Sequence, residues 1–131
     1  MVEVVGHAPE LAGCRCDAFI CEGFVYKGEL VANANVVHLC FGGEWHRLIV
    51  DCGVIIWRRS DGHPSLESAF DDFEYPHFDV GVIAGIVGHR LENYWMEADT
   101  IRGRVEFLFD NGSRITIVNE NDKSSFEIAS A

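Results

Sequence analysis

Val105–Ile117, VEFLFDNGSRITI, decides the fold, and Val37–Val50, VHLCFGGEWHRLIV, carries the same pattern in the first half of the chain. In each stretch apolar residues alternate with more polar ones, the period of a strand with one buried face. Each is interrupted by a turn, and the two turns differ in chemistry. Gly42-Gly43 suits a two-residue hairpin loop, because both central residues of that turn take φ > 0. Asp110-Asn111-Gly112 suits a three-residue loop, a type I turn closed by a left-handed glycine. With those loop lengths Val37, Leu39, Phe41, His46, Leu48 and Val50 fall on one face of the first hairpin. Val105, Phe107, Phe109, Ile115 and Ile117 fall on one face of the second. A slip of one residue would turn either set to solvent, so turn and pattern specify the register together.

The likeness extends beyond the hairpins. Leu11–Gly23, LAGCRCDAFICEG, aligns with Ile86–Ala98, IVGHRLENYWMEA. Gly13 meets Gly88, Arg15 meets Arg90, Phe19 meets Tyr94 and Glu22 meets Glu97. Cys16 meets Leu91 and Cys21 meets Met96, which marks both thiols as core positions. Further on, Leu48 answers Ile117 and Trp57 answers Phe126. Each half is predicted to hold a long strand, a hairpin and a fourth strand. The spans are roughly 11–22, 36–41, 45–51 and 54–59, then 86–97, 104–109, 113–118 and 124–129. A lone hairpin cannot bury its apolar face. The expected fold is therefore mainly β, in one domain over residues 1–131. Two related antiparallel four-strand units, about 11–59 and 86–129, would pack as a sandwich or barrel about a pseudo-twofold axis, with at most one short helix in the connector.

Composition narrows the partners. The chain has 131 residues, 48% of them hydrophobic, enough for one core. Ten Lys and Arg face 21 Asp and Glu, for a net charge of −11. That sign repels phosphate backbones and anionic lipid, so neither nucleic acid nor a membrane surface is an expected partner. No apolar run approaches the ~20 residues that cross a bilayer. The opening MVEVVGHAPE lacks the basic and apolar regions of an export signal. Five cysteines, Cys14, Cys16, Cys21, Cys40 and Cys52, are an odd number, which points to free thiols in a reducing cytoplasm. Cys14, Cys16 and Cys21 lack the C-x-x-C spacing of a zinc knuckle, and no metal or cofactor is expected.

Catalytic patterns are sparse. A metal hydrolase needs three histidines, or two and a carboxylate, converging on one point. His38 and His46 fall on opposite faces of their hairpin, while His63 and His77 flank the connector and could meet Asp61 or Asp79. No helical H-E-x-x-H spacing and no G-x-S-x-G elbow is present. His38 and Cys40 share a strand face two residues apart, a thiol–imidazole pair that lacks a third orienting group. A non-enzymatic protein is the expectation.

The connector, residues 60–85, holds Asp61, Glu67, Asp71, Asp72, Glu74 and Asp79 and neither Lys nor Arg. LESAFDDF, residues 66–73, reads as a short helix with Leu66, Ala69, Phe70 and Phe73 on one face. Its carboxylates interleave with Phe70, Phe73, Tyr75 and Phe78. Asp71, Asp72, Phe73, Glu74, Tyr75 and Asp79 are the candidate binding residues for a basic protein: aromatic rings anchor such a contact and carboxylates steer it. An alternative site is an aromatic pocket of Trp45, Trp57, Tyr94, Trp95 and Glu97 for an apolar or cationic small molecule, within one chain or between two copies. Exposed edge strands also make a homodimer an available assembly.

VEFLFDNGSRITI resembles a phrase found in several families of small bacterial β-rich proteins, including immunity proteins that neutralise toxins. The likeness covers the hairpin alone, so no site residue is carried over from it. Many families with such a phrase have no assigned function, and the expectation of a cytoplasmic, immunity-like protein with a basic partner rests on the charge, the connector and the cysteines.

Overall fold

The computed structural model describes residues 3–6, 10–62, 64 and 68–130. The first half contributes β1 (Glu3–Gly6), β2 (Cys16–Tyr26), β3 (Glu29–Phe41), β4 (Glu44–Asp51) and β5 (Val54–Arg59). The connector contributes β6 (Ser68–Phe70), β7 (Phe73–Tyr75), β8 (His77–Asp79) and the short helix α1 (Val80–Ile83). The second half contributes β9 (Leu91–Ala98), β10 (Gly103–Phe109), β11 (Arg114–Glu120) and β12 (Lys123–Ala129). The larger sheet runs β1-β5-β4-β3-β2-β7-β6, with β8 also against β2; the smaller runs β12-β11-β10-β9. β2 to β5 and β9 to β12 are thus two antiparallel meanders, and β1 joins the first by pairing in parallel with β5. Among the described residues no helix is long and apolar enough to cross a membrane.

The two meanders share one register. Phe19 lies opposite Leu39 as Tyr94 lies opposite Phe107, and Leu48 lies opposite Trp57 as Ile117 lies opposite Phe126. Both long strands enter through a bulge, with Cys16 opposite Phe41 and Leu91 opposite Phe109. Where the halves meet, their hydrogen bonds are reciprocal. Gly13 N–H donates to Leu91 O at 2.7 Å, and Gly88 N–H donates to Cys16 O at 2.8 Å. Cys16 N–H donates to His89 O at 2.8 Å, and Leu91 N–H donates to Cys14 O at 2.9 Å. Arg15 and Arg90, aligned in sequence, form an antiparallel bridge with each other. The pseudo-twofold axis therefore passes between them, and the fold is a sandwich stitched at one corner.

The turns follow their chemistry. Gly42 and Gly43 have φ of 57° and 81° between the paired Phe41 and Glu44. Gly112, at φ 85°, donates its N–H to Phe109 O at 3.0 Å, and Phe109 N–H donates to Ser113 O at 3.0 Å. Both predicted hairpin faces are buried: Val37, Leu39, Phe41, His46, Leu48 and Val50 in one sheet, Val105, Phe107, Phe109, Ile115 and Ile117 in the other. Phe107 sits at their centre, edge-on to Phe19 at 5.3 Å and stacked on Tyr94 at 5.9 Å.

Three expectations need correction. Regular pairing along the two long strands begins at Cys16 and Leu91, five residues later than expected at each. Leu11 and Ile86 instead open turns in which their carbonyls accept from Cys14 and His89. The residues from Gly23 to Asn35, left between the first two predicted strands, form a hairpin arm: β2 and β3 continue to a tight turn at Lys27-Gly28. The helix read over residues 66–73 is a hairpin over its described part. Asp71 takes φ 52°, a left-handed conformation that aspartate tolerates, and β7 finds a pairing partner in the arm of β2. The one helix among the described residues follows it, at Val80–Ile83.

At the opposite end from the Arg15–Arg90 corner, a buried polar chain ties the sheets. Asn119 Oδ1 accepts from Cys52 N–H at 3.1 Å, Asn119 Nδ2 donates to Ser124 Oγ at 3.0 Å, and Ser124 Oγ donates to Val50 O at 2.9 Å. Another buried polar group interrupts the apolar face. His46 stands where the second half has Ile115, and its Nδ1 accepts from Trp57 Nε1–H at 3.3 Å. That bond requires Nδ1 without a proton, and burial holds the imidazole below its ordinary value. An unfolded histidine titrates near ~6.5, so as pH falls below that value the unfolded chain gains a proton that the folded His46 resists. Unfolding by urea at pH 7.5 and 5.5 is expected to show stability falling with pH, with a shallower fall in His46→Leu. At pH 7.5 that variant orphans the Trp57 donor but also removes the buried, unpartnered His46 Nε2, so its stability should stay within about 1 kcal/mol of the wild type.

Candidate functional site

The connector hairpin builds a surface on the margin of the larger sheet. β7 lies along the arm of β2, with Val25 opposite Glu74 and Tyr26 opposite Phe73, and β6 ends the sheet by pairing with β7. Aromatic side chains suit such a pleated, half-covered surface. Phe24 stacks on Phe73 at 5.8 Å and on Tyr75 at 5.7 Å, and Tyr26 meets Phe73 at 5.1 Å. Lys27 Nζ lies 5.4 Å from the Tyr26 ring centre, and Lys27 N–H donates to Asp72 O at 2.8 Å, fastening the two turns together. Phe70, at the end of β6, is 71% exposed, and Phe73 and Tyr26, next to it across the strands on the same face, are exposed as well. Asp71, Asp72 and Glu74 project to solvent beside these rings.

Five of the six candidate binding residues, Asp71, Asp72, Phe73, Glu74 and Tyr75, therefore share one edge. Asp79 does not. It lies opposite Ile20, five residues along β2 from the Val25–Glu74 pair, and its Oδ1 accepts from Val82 N–H at 3.2 Å to cap α1. Tyr26 belongs to the surface but was not among the candidates. A signal for it exists: apolar Phe24-Val25-Tyr26 and Leu30-Val31-Ala32 flank Lys27-Gly28, a hairpin pattern of its own.

The alternative aromatic pocket is dispersed. Trp57 is fully buried and touches Tyr94 at 5.4 Å inside the sandwich. Trp95 and Glu97 alternate with Tyr94 along β9 and face outward, and Trp45 lies on the face of β4 opposite His46. An open groove of about 550 Å³ borders Glu97, but its walls are Asp99, Arg102, Arg104, Glu120 and Glu127, without an aromatic ring.

The cysteines are free, with Cys16, Cys21 and Cys40 buried and Cys52 exposed. Burial, and then the Asp17 carboxylate, push the Cys40 thiol up, the opposite of what a nucleophile needs. Its sulfur faces Asp17 Oδ2 at 3.9 Å. Hydrogen bonding to Asp122 and Asp51 pushes the exposed Cys52 thiol up to about 11. His63 lies outside the described residues. His77 approaches Glu22, not Asp61 or Asp79. No family model, curated protein or solved structure matches the chain.

Phe24 holds the connector hairpin by ring stacking, away from the sandwich core. Phe24→Ala is expected to speed amide exchange of residues 68–75 by about tenfold or more while β10 and β11 keep their protection. Uniform acceleration across both sheets would contradict this.

Proposed function

We propose that this chain is a non-enzymatic acidic binding protein of the cytoplasm that holds a basic protein partner at the edge formed by β6, β7 and the arm of β2, as immunity proteins hold toxins. The observation that carries the reading is Phe70, an aromatic side chain 71% exposed at the end of the last strand of a sheet, with Asp71, Asp72 and Glu74 next to it. An exposed ring of that size is an anchor for a partner's pocket. The carboxylates accelerate encounter with Lys- and Arg-rich surfaces, aided by the net charge of −11. β6 ends its sheet, so an extended segment of the partner can add to it as a further strand. A second copy of the chain would set like carboxylates against one another at this edge, which favours a basic partner over self-pairing here.

The test is capture on the immobilised chain, followed by association and dissociation kinetics of the protein recovered. The partner is expected to be basic. Neutralising the edge by Asp71→Asn, Asp72→Asn and Glu74→Gln together should slow association about tenfold at low salt. Phe70→Ser should mainly speed dissociation. A partner whose kinetics neither variant changes would rule the edge out.

A further inference from the structure

The outer face of the larger sheet, away from the sandwich core, carries a second constellation. Glu22 stands on β2 between two neighbouring strands. His77 on β8 lies directly opposite it, and His38 on β3 lies opposite Ile20, one diagonal step away. Both imidazoles reach the same carboxylate oxygen: His38 Nε2 is 3.5 Å and His77 Nε2 is 3.4 Å from Glu22 Oε1. His38 is 6% exposed, and its Nε2 is buried without a hydrogen-bond partner. At 3.5 Å the carboxylate is beyond the length of a good N–H···O bond. Buried polar atoms are nearly always hydrogen-bonded; among the described residues His38 Nε2 and His46 Nε2 are the buried side-chain atoms that are not, and of the two only His38 Nε2 has a carboxylate within 4 Å.

A bound cation would resolve that nitrogen's deficit. In a tetrahedral zinc-type centre, nitrogen and oxygen ligands ~2.0–2.2 Å from the ion lie about 3.4 Å from each other. The two Glu22–imidazole separations match that edge length, while the two imidazoles stand wider apart than one ion spans and have to close on it. We propose that Glu22, His38 and His77 form a binding site for a divalent first-row transition cation of the zinc class, with its fourth position open to solvent. Two imidazoles select such ions over magnesium or calcium, which prefer oxygen ligands. Three adjacent strands hold the backbones of the three donors in fixed register, and closure on the ion is left to the side chains. The ring centres of His38 and His77 are 6.2 Å apart, and binding draws them together around the ion. His77 makes that adjustment, since it stands on a three-residue strand and is partly exposed. The side chains of Glu22 and His77, 25% and 17% exposed, leave the solvent side free for water or a partner's donor. The site is independent of the connector hairpin and of the function proposed for it.

The test is titration of the chelator-stripped, reduced full chain with Co²⁺, read by visible absorption, with Zn²⁺ as competitor. One equivalent of Co²⁺ is expected to give d–d bands without near-ultraviolet thiolate charge transfer, and Zn²⁺ should displace it. His77→Ala and Glu22→Gln, shown folded by circular dichroism, should each weaken binding more than about tenfold. Cys52→Ser should leave it unchanged. That control matters because Asp51, Cys52 and Asp122 form a separate exposed donor cluster. Should either site variant fail to fold, substoichiometric Co²⁺ added to the wild-type chain must broaden the ring signals of His38 and His77 before those of the 51–53 turn. No d–d bands at one equivalent would overturn the proposal. So would bands that survive in both site variants, a thiolate band lost in Cys52→Ser, or broadening that starts at the 51–53 turn.

Discussion

Each meander has one apolar face, and the other meander covers most of it, with Leu11, Phe78, Val80 and Ile86 completing the cover. That mutual burial is the constraint on which the rest of the structure depends. Phe107 illustrates it, a side chain of the second half with its ring against Phe19 and Trp57 of the first. Complete burial of a phenylalanine contributes about 1.5–3 kcal/mol, and here the sum over Phe19, Phe41, Trp57, Phe107 and Phe109 is shared between the halves. The reciprocal backbone bonds around Arg15 and Arg90 align the two sheets at one end, and the Asn119–Ser124–Val50 chain aligns them at the other.

The sandwich interior is filled by side chains, and the surfaces proposed for binding lie outside it. The first half has grown at its margins: β1 adds beside β5, and β6, β7 and β8 add beside β2. The second half remains a bare four-strand sheet. Both surfaces with chemical character, the acidic aromatic edge and the Glu22–His38–His77 cluster, arise where the connector was added to β2. Divergence of the repeat is visible at the same strand. Glu22 aligns with Glu97, yet nothing is added beyond β9 to supply a counterpart of His77.

Much of the fold was legible in the residues because period-two alternation and turn chemistry are local signals. Gly42-Gly43 and Asp110-Asn111-Gly112 set the registers, and the alignment of Leu48 with Ile117 and of Trp57 with Phe126 reappears as equivalent strand pairs. The connector was less legible. Leu66, Ala69, Phe70 and Phe73 have helical spacing, but β7 forms because the arm of β2 offers it a partner, and that is a tertiary fact. Asp71 to Tyr75 stand out on charge and aromatic content, which are compositional, and the pairing of β7 with β2 brings them to one edge. Asp79 stands apart from them, with its carboxylate capping the helix that follows it. The clustering of Glu22 with His38 and His77 was not legible, since these residues are distant in the chain and meet only through the registers of β3 and β8 on β2.

The account stands or falls on whether each half needs the other. The most direct measurement is the ¹H–¹⁵N correlation spectrum of residues 86–131 alone, and again after adding residues 10–60. The account predicts collapsed amide dispersion for the isolated segment and native dispersion once the complement is present. A well-dispersed spectrum from monomeric 86–131 alone would contradict it.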